Sequence, residues 1–193
     1  MNKLLCVFIM VLGVQANAGF LAEPFVGYDQ STFKYTDIGG TSSGATSSGM
    51  DYGARLGYRF NQGLVLALEY AGGSGKSKSD TAGSTDSDYT KTAMGAIIGY
   101  DFGRFSIWGG YGFSDKLTIK TTGQTDTDYS GTNFKVGFGY KVVNHVSVNL
   151  DYIIPKYTKF TSSGTESDIS TVFSKFETSG AMFSVSFPFS SGK

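Results

Sequence analysis

Apolar and polar residues alternate with a two-residue period through eight stretches of the chain, near 21–29, 50–60, 64–72, 91–102, 105–114, 132–142, 146–155 and 180–189. Each has about the ten residues that a tilted, membrane-crossing strand needs, so the pattern predicts eight β-strands. In the second stretch Tyr52, Ala54, Leu56, Tyr58 and Phe60 share one face, while Asp51, Gly53, Arg55, Gly57 and Arg59 share the other. The third sets Leu64, Leu66, Leu68 and Tyr70 against Ala67 and Glu69. Later stretches repeat the rule: Phe134, Val136, Phe138 and Tyr140 oppose Lys135, Gly137, Gly139 and Lys141, and Val148, Leu150 and Tyr152 oppose Asn149 and Asp151.

The links between these stretches alternate in length. Short ones fall at Asn61-Gln62-Gly63, Gly103-Arg104 and Val143-Asn144-His145; long Ser/Thr/Gly/Asp-rich ones occupy about 30–49, 73–90, 115–131 and 156–179. Short turns at one end and long loops at the other predict an up-and-down barrel inserted from the periplasm. Alternation by itself also suits a soluble, lipocalin-like barrel with the large apolar face turned inward. Three features favour the outward assignment: the minor face is rich in glycine as well as charge, Tyr and Phe gather at strand ends as interfacial girdles do, and loops lengthen on one side only. The predicted fold is therefore all-β, an eight-stranded antiparallel transmembrane β-barrel.

Turn chemistry agrees with face parity. Phe60 and Leu64 face the same side only across a three-residue link, and Gly63 stands where such a link commonly needs φ > 0. That register sets Arg55 opposite Glu69. Phe102 and Phe105 share a face across two residues, with Gly103 first, as a type II′ turn prefers, and Trp108 then lies beside Gly99.

Composition adds a destination. Lys3, the apolar run from Leu4 to Val14 and then Ala16-Asn17-Ala18 have the layout of a secretory signal peptide cleaved between Ala18 and Gly19. Residues 1–18 are expected to be a leader and 19–193 the barrel domain. Nothing after Ala18 approaches the ~18 apolar residues of a transmembrane helix. The single Cys6 lies in the leader, so no disulfide framework is expected. Balanced charge, 16 basic against 16 acidic residues, argues against nucleic acid as a partner.

Gly57-Tyr58-Arg59-Phe60, Gly99-Tyr100-Asp101-Phe102 and Gly139-Tyr140-Lys141-Val142 recur where strands run into short turns. With these endings, the eight stretches and Glu23-Pro24-Phe25-Val26-Gly27-Tyr28, the mature chain resembles the small outer-membrane β-barrel family, which groups the OmpA-type transmembrane domain with OmpX/Ail and opacity-type proteins. The resemblance implies a non-catalytic barrel in the cell outer membrane of a Gram-negative bacterium, with a structural and surface-interaction role, or else a narrow porin-like channel or hydrophobic-solute conduit. It also implies insertion by the barrel-assembly machinery, for which Thr178, Gly180, Phe183 and Val185 look like the recognition signal.

The candidate site is the lumen, where Glu23, Asp29, Asp51, Glu69, Asp101 and Asp151 meet Arg55, Arg59, Lys91, Lys135 and Lys141. An eight-stranded barrel is just wide enough for its own side chains to fill, so these charges are expected to pair across it. Either they form a static plug, or Arg55 exchanges between Glu69 and another acid as a gate. The only histidine, His145, falls in a periplasmic turn, away from any outer-rim catalytic site, and no cofactor is implied. Asp86 with Asp88 and Asp126 with Asp128 are read as solvated loop acids rather than Ca²⁺ ligands.

Remaining partners belong to the loops, which are low in complexity and expected to be mobile. Lys76, Lys78, Lys116, Lys120, Lys156 and Lys159 can meet lipopolysaccharide phosphates, and a host or cell-surface ligand can be met by the tips. Leu117, Ile119, Tyr157 and Phe160 hint that some strands continue above the membrane.

Overall fold

A computed structural model describes residues 18–80, 86–121, 123 and 125–191. The expected leader, apart from Ala18, lies outside the described residues. Seven long strands follow in order: β1 Ala18–Asp37, β2 Ser42–Phe60, β3 Leu64–Ser79, β4 Ser87–Phe102, β5 Phe105–Lys120, β6 Thr127–Val143 and β7 Val146–Ser162. A short β8 (Thr165–Asp168) and a 3-10 turn (Ile169–Thr171) lead into β9, Phe173–Ser186, and a final β10, Phe189–Ser191. Every neighbour is antiparallel, and β9 pairs with both β7 and β1, so β1 to β7 and β9 close an eight-membered ring. β8 pairs only with the tip of β7, and β10 only with the start of β1.

Side-chain burial assigns the faces. Leu56 is 52% exposed and Leu68 62%, whereas Arg55 is 4% exposed and Glu69 6%. The apolar face is outside and the charged face inside, which rules out the lipocalin-like arrangement. Aromatic pairs ring the short-turn end, with Phe20 against Tyr58 at 6.2 Å and Phe105 against Tyr140 at 5.2 Å; Tyr111 against Phe134, at 5.0 Å, marks the upper edge of the belt.

Two of the three short turns match the residues that form them. Gly63 has φ +94° and its amide donates to the Phe60 carbonyl at 2.9 Å. Gly103 has φ +77° while Arg104 stays at negative φ, the signature of a type II′ turn. The third differs from expectation: Val143 pairs with Val146, so the loop is Asn144-His145 alone, and Val142 is left over as a bulge.

The strands are much longer than the sequence pattern suggested. Residues 42–48 and 73–75, expected to be mobile loop, lie within β2 and β3. Backbone pairing runs from Arg59↔Val65 up to Ala45↔Ser79, so these Ser/Thr/Gly runs satisfy their amides in the ladder rather than in water. Glycine here answers crowding: a methyl at Gly73 would strike the Asp51 carboxylate. Strand β9 also ends earlier than expected, broken at Phe187-Pro188 because Pro188 has no amide hydrogen for the ladder.

Candidate functional site

The lumen is blocked near its middle by one guanidinium. Arg55 Nε donates to Glu69 Oε2 at 2.9 Å, Nη1 to Glu23 Oε1 at 3.1 Å, and Nη2 lies 3.5 Å from Asp151 Oδ2. Its plane also rests 4.6 Å from the Trp108 ring and 5.3 Å from that of Phe25. Lys135 reaches the second oxygen of Glu69, and Trp108 Nε1 donates to Asp151 Oδ1 at 2.6 Å. Three carboxylates around one arginine and one lysine are buried together. Their mutual attraction offsets the cost of desolvation only while the set is complete.

Closure of the ring brings these groups together. The hairpin at Asn61-Gln62-Gly63 fixes Arg55↔Glu69, and β1 on the other flank of β2 supplies Glu23 in the rung Glu23↔Arg55. Asp151 and Trp108 arrive from the far wall. The register Gly99↔Trp108 is as the turn implied, but the indole leans the other way, onto Gly137 and Gly139 of β6. Those glycines, not Gly99, make room for it, because the ring must reach Asp151 and Arg55.

Toward the short-turn end, Arg59 Nε meets Asp101 Oδ2 at 2.7 Å. Lys141, expected in the network, has no acid within 4.0 Å among the described residues. Asp101 is already held by Arg59. Below the plug is a cavity with about 40 Å³ of water-accessible space, lined by Leu21, Arg59, Asp101, Lys141 and Asn149. His145 stacks on Phe189 at this end, ring centres 6.2 Å apart.

Above the plug, Lys91 bridges Asp29 at 2.9 Å and Asp51 at 2.7 Å, beside a second cavity of about 50 Å³. Asp115, which sequence reasoning did not single out, lines the same cavity. It accepts hydrogen bonds from Asn133 Nδ2 at 2.7 Å and Tyr157 OH at 3.2 Å. Burial, partly offset by those bonds, pushes its carboxyl above the ordinary range, and burial likewise pushes the Tyr89 hydroxyl up to about 12. Its inward aim comes from a bulge: residues 113 and 114 of β5 face one residue of β6, which switches the strand's inward parity from even to odd positions.

Over this chamber sits an apolar cap of Phe33, Tyr89, Leu117, Tyr157 and Ile169, with Ile119, Tyr129, Phe160 and Phe176 packed against it. Outside it, lysines alternate with threonines and serines. Lys76 pairs with Asp88 at 2.5 Å, Lys120 with Asp126 at 3.8 Å and Lys159 with Glu166 at 2.5 Å; Asp128 accepts from Thr118 Oγ1 at 2.6 Å. Asp88 and Asp128, expected in loops, thus lie in β4 and β6, and with Asp126 they face cations and hydroxyls of neighbouring strands.

Comparison with known proteins places this geometry. The family model described as outer membrane protein beta-barrel domain matches residues 4–189. Among solved structures, the chain is similar to Ail, the attachment invasion locus protein of Yersinia pestis, crystallised with the heparin analogue sucrose octasulfate: TM-score 0.58, 16% identity, covering 89% of this chain and 99% of that one. It is also similar to Neisserial surface protein A, with TM-score 0.49, 18% identity and 86% and 97% coverage. OprG of Pseudomonas aeruginosa gives TM-score 0.49, 13% identity and 90% and 96% coverage. A comparison with curated protein sequences found no match.

Proposed function

The chain belongs to the outer membrane protein β-barrel domain family, and from that premise we propose that it is a non-catalytic structural and surface-interaction barrel. Its lumen is a static plug. The observation that carries this reading is Arg55 holding Glu23, Glu69 and Asp151 at once: a gate by partner exchange would need an acid left waiting, and here all three are engaged. The placement of His145 at the short-turn end, remote from the acids above the plug, supports the absence of catalysis.

Residues 1–18 serve as an export leader cleaved before Gly19, and the barrel-assembly machinery reads Thr178, Gly180, Phe183 and Val185 of β9. Outer-membrane lipid covers the apolar belt. Contact with other surfaces falls to the projecting hairpins, whose lysine-bearing exterior suits sulfated or phosphorylated sugars. The Ail structure holds one polysulfated sugar, and that chemistry is the first to try as a ligand.

Recordings in planar bilayers with folded protein test the plug. We expect no discrete steps; reproducible single-channel steps would overturn it in favour of the narrow channel. Membrane fractionation with heat-modifiable gel migration tests the barrel's location, and recovery of the protein in the soluble periplasm would end that part of the reading.

A further inference from the structure

The ladder between β7 and β9 stops at Ile153↔Gly180. On their other flanks both strands stay paired far beyond that rung, β9 with β1 as far as Asp37↔Phe173 and β7 with β6 as far as Thr127↔Ser162. On the open side β7 next finds a partner in β8, from Lys159 onward. Residues 154–158 of β7 therefore run beside β9 without a rung. Two local features cause the gap. Pro155 has no amide hydrogen to donate. Thr158 is left out of the β6 ladder between Tyr157 and Lys159, a bulge that bends the strand away.

A groove follows this seam on the outer wall, lined by Lys34, Phe134, Ile154, Pro155, Lys156 and Phe176. Phe176 closes its back, packing on Tyr129 at 5.6 Å and Tyr157 at 6.2 Å between ring centres. The seam is thus a cleft in the wall and not a port into the lumen. Phe134 and Ile154, about half exposed, belong to the top of the apolar belt, while Lys34 and Lys156 stand one or two rungs above it. Neither lysine has an acid within 4.0 Å among the described residues, unlike Lys76, Lys120, Lys159 and Lys175 on the same outer surface. Glu177, the acid lining the groove, is held by Lys175 at 3.0 Å.

We propose that the β7–β9 seam binds one phosphorylated lipid of the outer leaflet, with its phosphate between Lys34 and Lys156 and an acyl chain along Phe134 and Ile154. The site rests on the membrane placement proposed above. An added peptide strand is disfavoured here, because Pro155 and the Thr158 bulge interrupt the row of donors it would need. A cleft whose lower half is apolar, and whose upper half carries two lysines outside any ion pair beside a Glu177 already held by Lys175, matches an anionic amphiphile at the level of its headgroup.

The test is native mass spectrometry of the full folded chain released from uncharged detergent micelles, titrated with a bis-phosphorylated acylated disaccharide lipid, its dephosphorylated form, and inorganic phosphate. Wild type is expected to retain one phosphorylated lipid. Lys34→Gln and Lys156→Gln are each expected to weaken retention about fivefold, and the pair about 25-fold. Arg104→Gln, which removes a cation in the short turn between β4 and β5 at the opposite end of the barrel, is expected to change little. Unchanged retention in the Lys34/Lys156 pair overturns the proposal, as does a loss in Arg104→Gln equal to that of either single lysine variant, which would mean general charge attraction. Displacement of the lipid by millimolar inorganic phosphate also overturns it, by showing a free-anion site. Heat-modifiable migration on the same samples separates failure of this site from failure of the barrel reading.

Discussion

The lower and upper halves of this barrel are built from the same strands but are turned inside out relative to one another. From the short turns up to about Asp29, charges face the lumen and Leu56, Leu68, Leu150 and Phe183 face outward. Above that level Phe33, Tyr89, Leu117 and Tyr157 face the lumen, while Lys34, Lys76, Asp88 and Lys116 face outward. Strand parity alone would carry one assignment from end to end. In β5 and β7 it is reset by bulges at residues 113–114 and at Thr158, after which Leu117 and Phe160 point inward. In β1, which has no bulge until Asp37, the inward residues simply change character from Glu23 and Asp29 to Phe33. The difference shows which constraint dominates at each level. Lipid demands an apolar exterior and leaves the interior to paired charges; water permits a polar exterior, and the interior then becomes an ordinary apolar core.

The strongest way to break the comparison is to remove the charge that closes the lower half. Arg55→Ala leaves Glu23, Glu69 and Asp151 buried, with the Lys135–Glu69 pair as the one ion pair remaining to them among the described residues, and it is expected to cost about 3–5 kcal/mol. Denaturant unfolding in micelles would read this, and a loss below 1 kcal/mol would show that the cluster is hydrated rather than closed. The structure also revises the charge-swap experiment that the Arg55↔Glu69 register suggests. Reversing both puts a glutamate between Glu23 and Asp151 and an arginine beside Lys135. The double variant is therefore expected to be no better than Arg55→Ala, although each exchanged pair would still be complementary.

A smaller effect should separate the halves. Leu117 is 3% exposed within the apolar cap, and Leu117→Ala is expected to cost about 2–3 kcal/mol. That loss should open the projecting hairpins without releasing the belt. Limited proteolysis should then cut between β5 and β6 while heat-modifiable migration of the rest survives. Simultaneous loss of both signals would mean that cap and plug form one cooperative unit.

Much of the lower half was legible because it obeys one rule. A period of two, with turn lengths that preserve face parity, led from Phe60 and Leu64 to Arg55↔Glu69, and from Phe102 and Phe105 to Gly99↔Trp108. What Trp108 does was not legible, since Asp151, Gly137 and Gly139 reach it only through closure of the ring. In the upper half the Ser/Thr/Gly runs read as loops because nothing local distinguishes a polar strand paired on both sides from a polar coil. Leu117 and Tyr157 were visible as apolar residues in the wrong place, but Asp115 was hidden by the bulge just before it. The signal that Ile153-Ile154-Pro155 carries, a proline inside a strand, points to a broken ladder and was available throughout.

The most delicate test uses Asp115, a buried acid just past the outward-facing Phe113 and under the cap. Burial raises its carboxyl, while the hydrogen bonds from Asn133 and Tyr157 and the charges of Lys91 and Lys135 pull it back only in part. A carboxyl raised on folding binds its proton more tightly in the barrel than in the unfolded chain. Its contribution to stability is therefore fully present below the ordinary Asp range and is lost as pH rises through the raised value. Asp115→Asn stays neutral throughout, and its amide can be matched by turning the Asn133 side chain to present Oδ1. The stability of Asp115→Asn relative to wild type should then rise with pH across that window, by no more than one proton's slope of about 1.4 kcal/mol per pH unit. Unfolding midpoints measured from pH 4 to pH 8 would show it. A pH-independent gap between the two proteins would mean that water reaches Asp115 through the cap, and that the upper interior is less dry than its aromatic residues make it look.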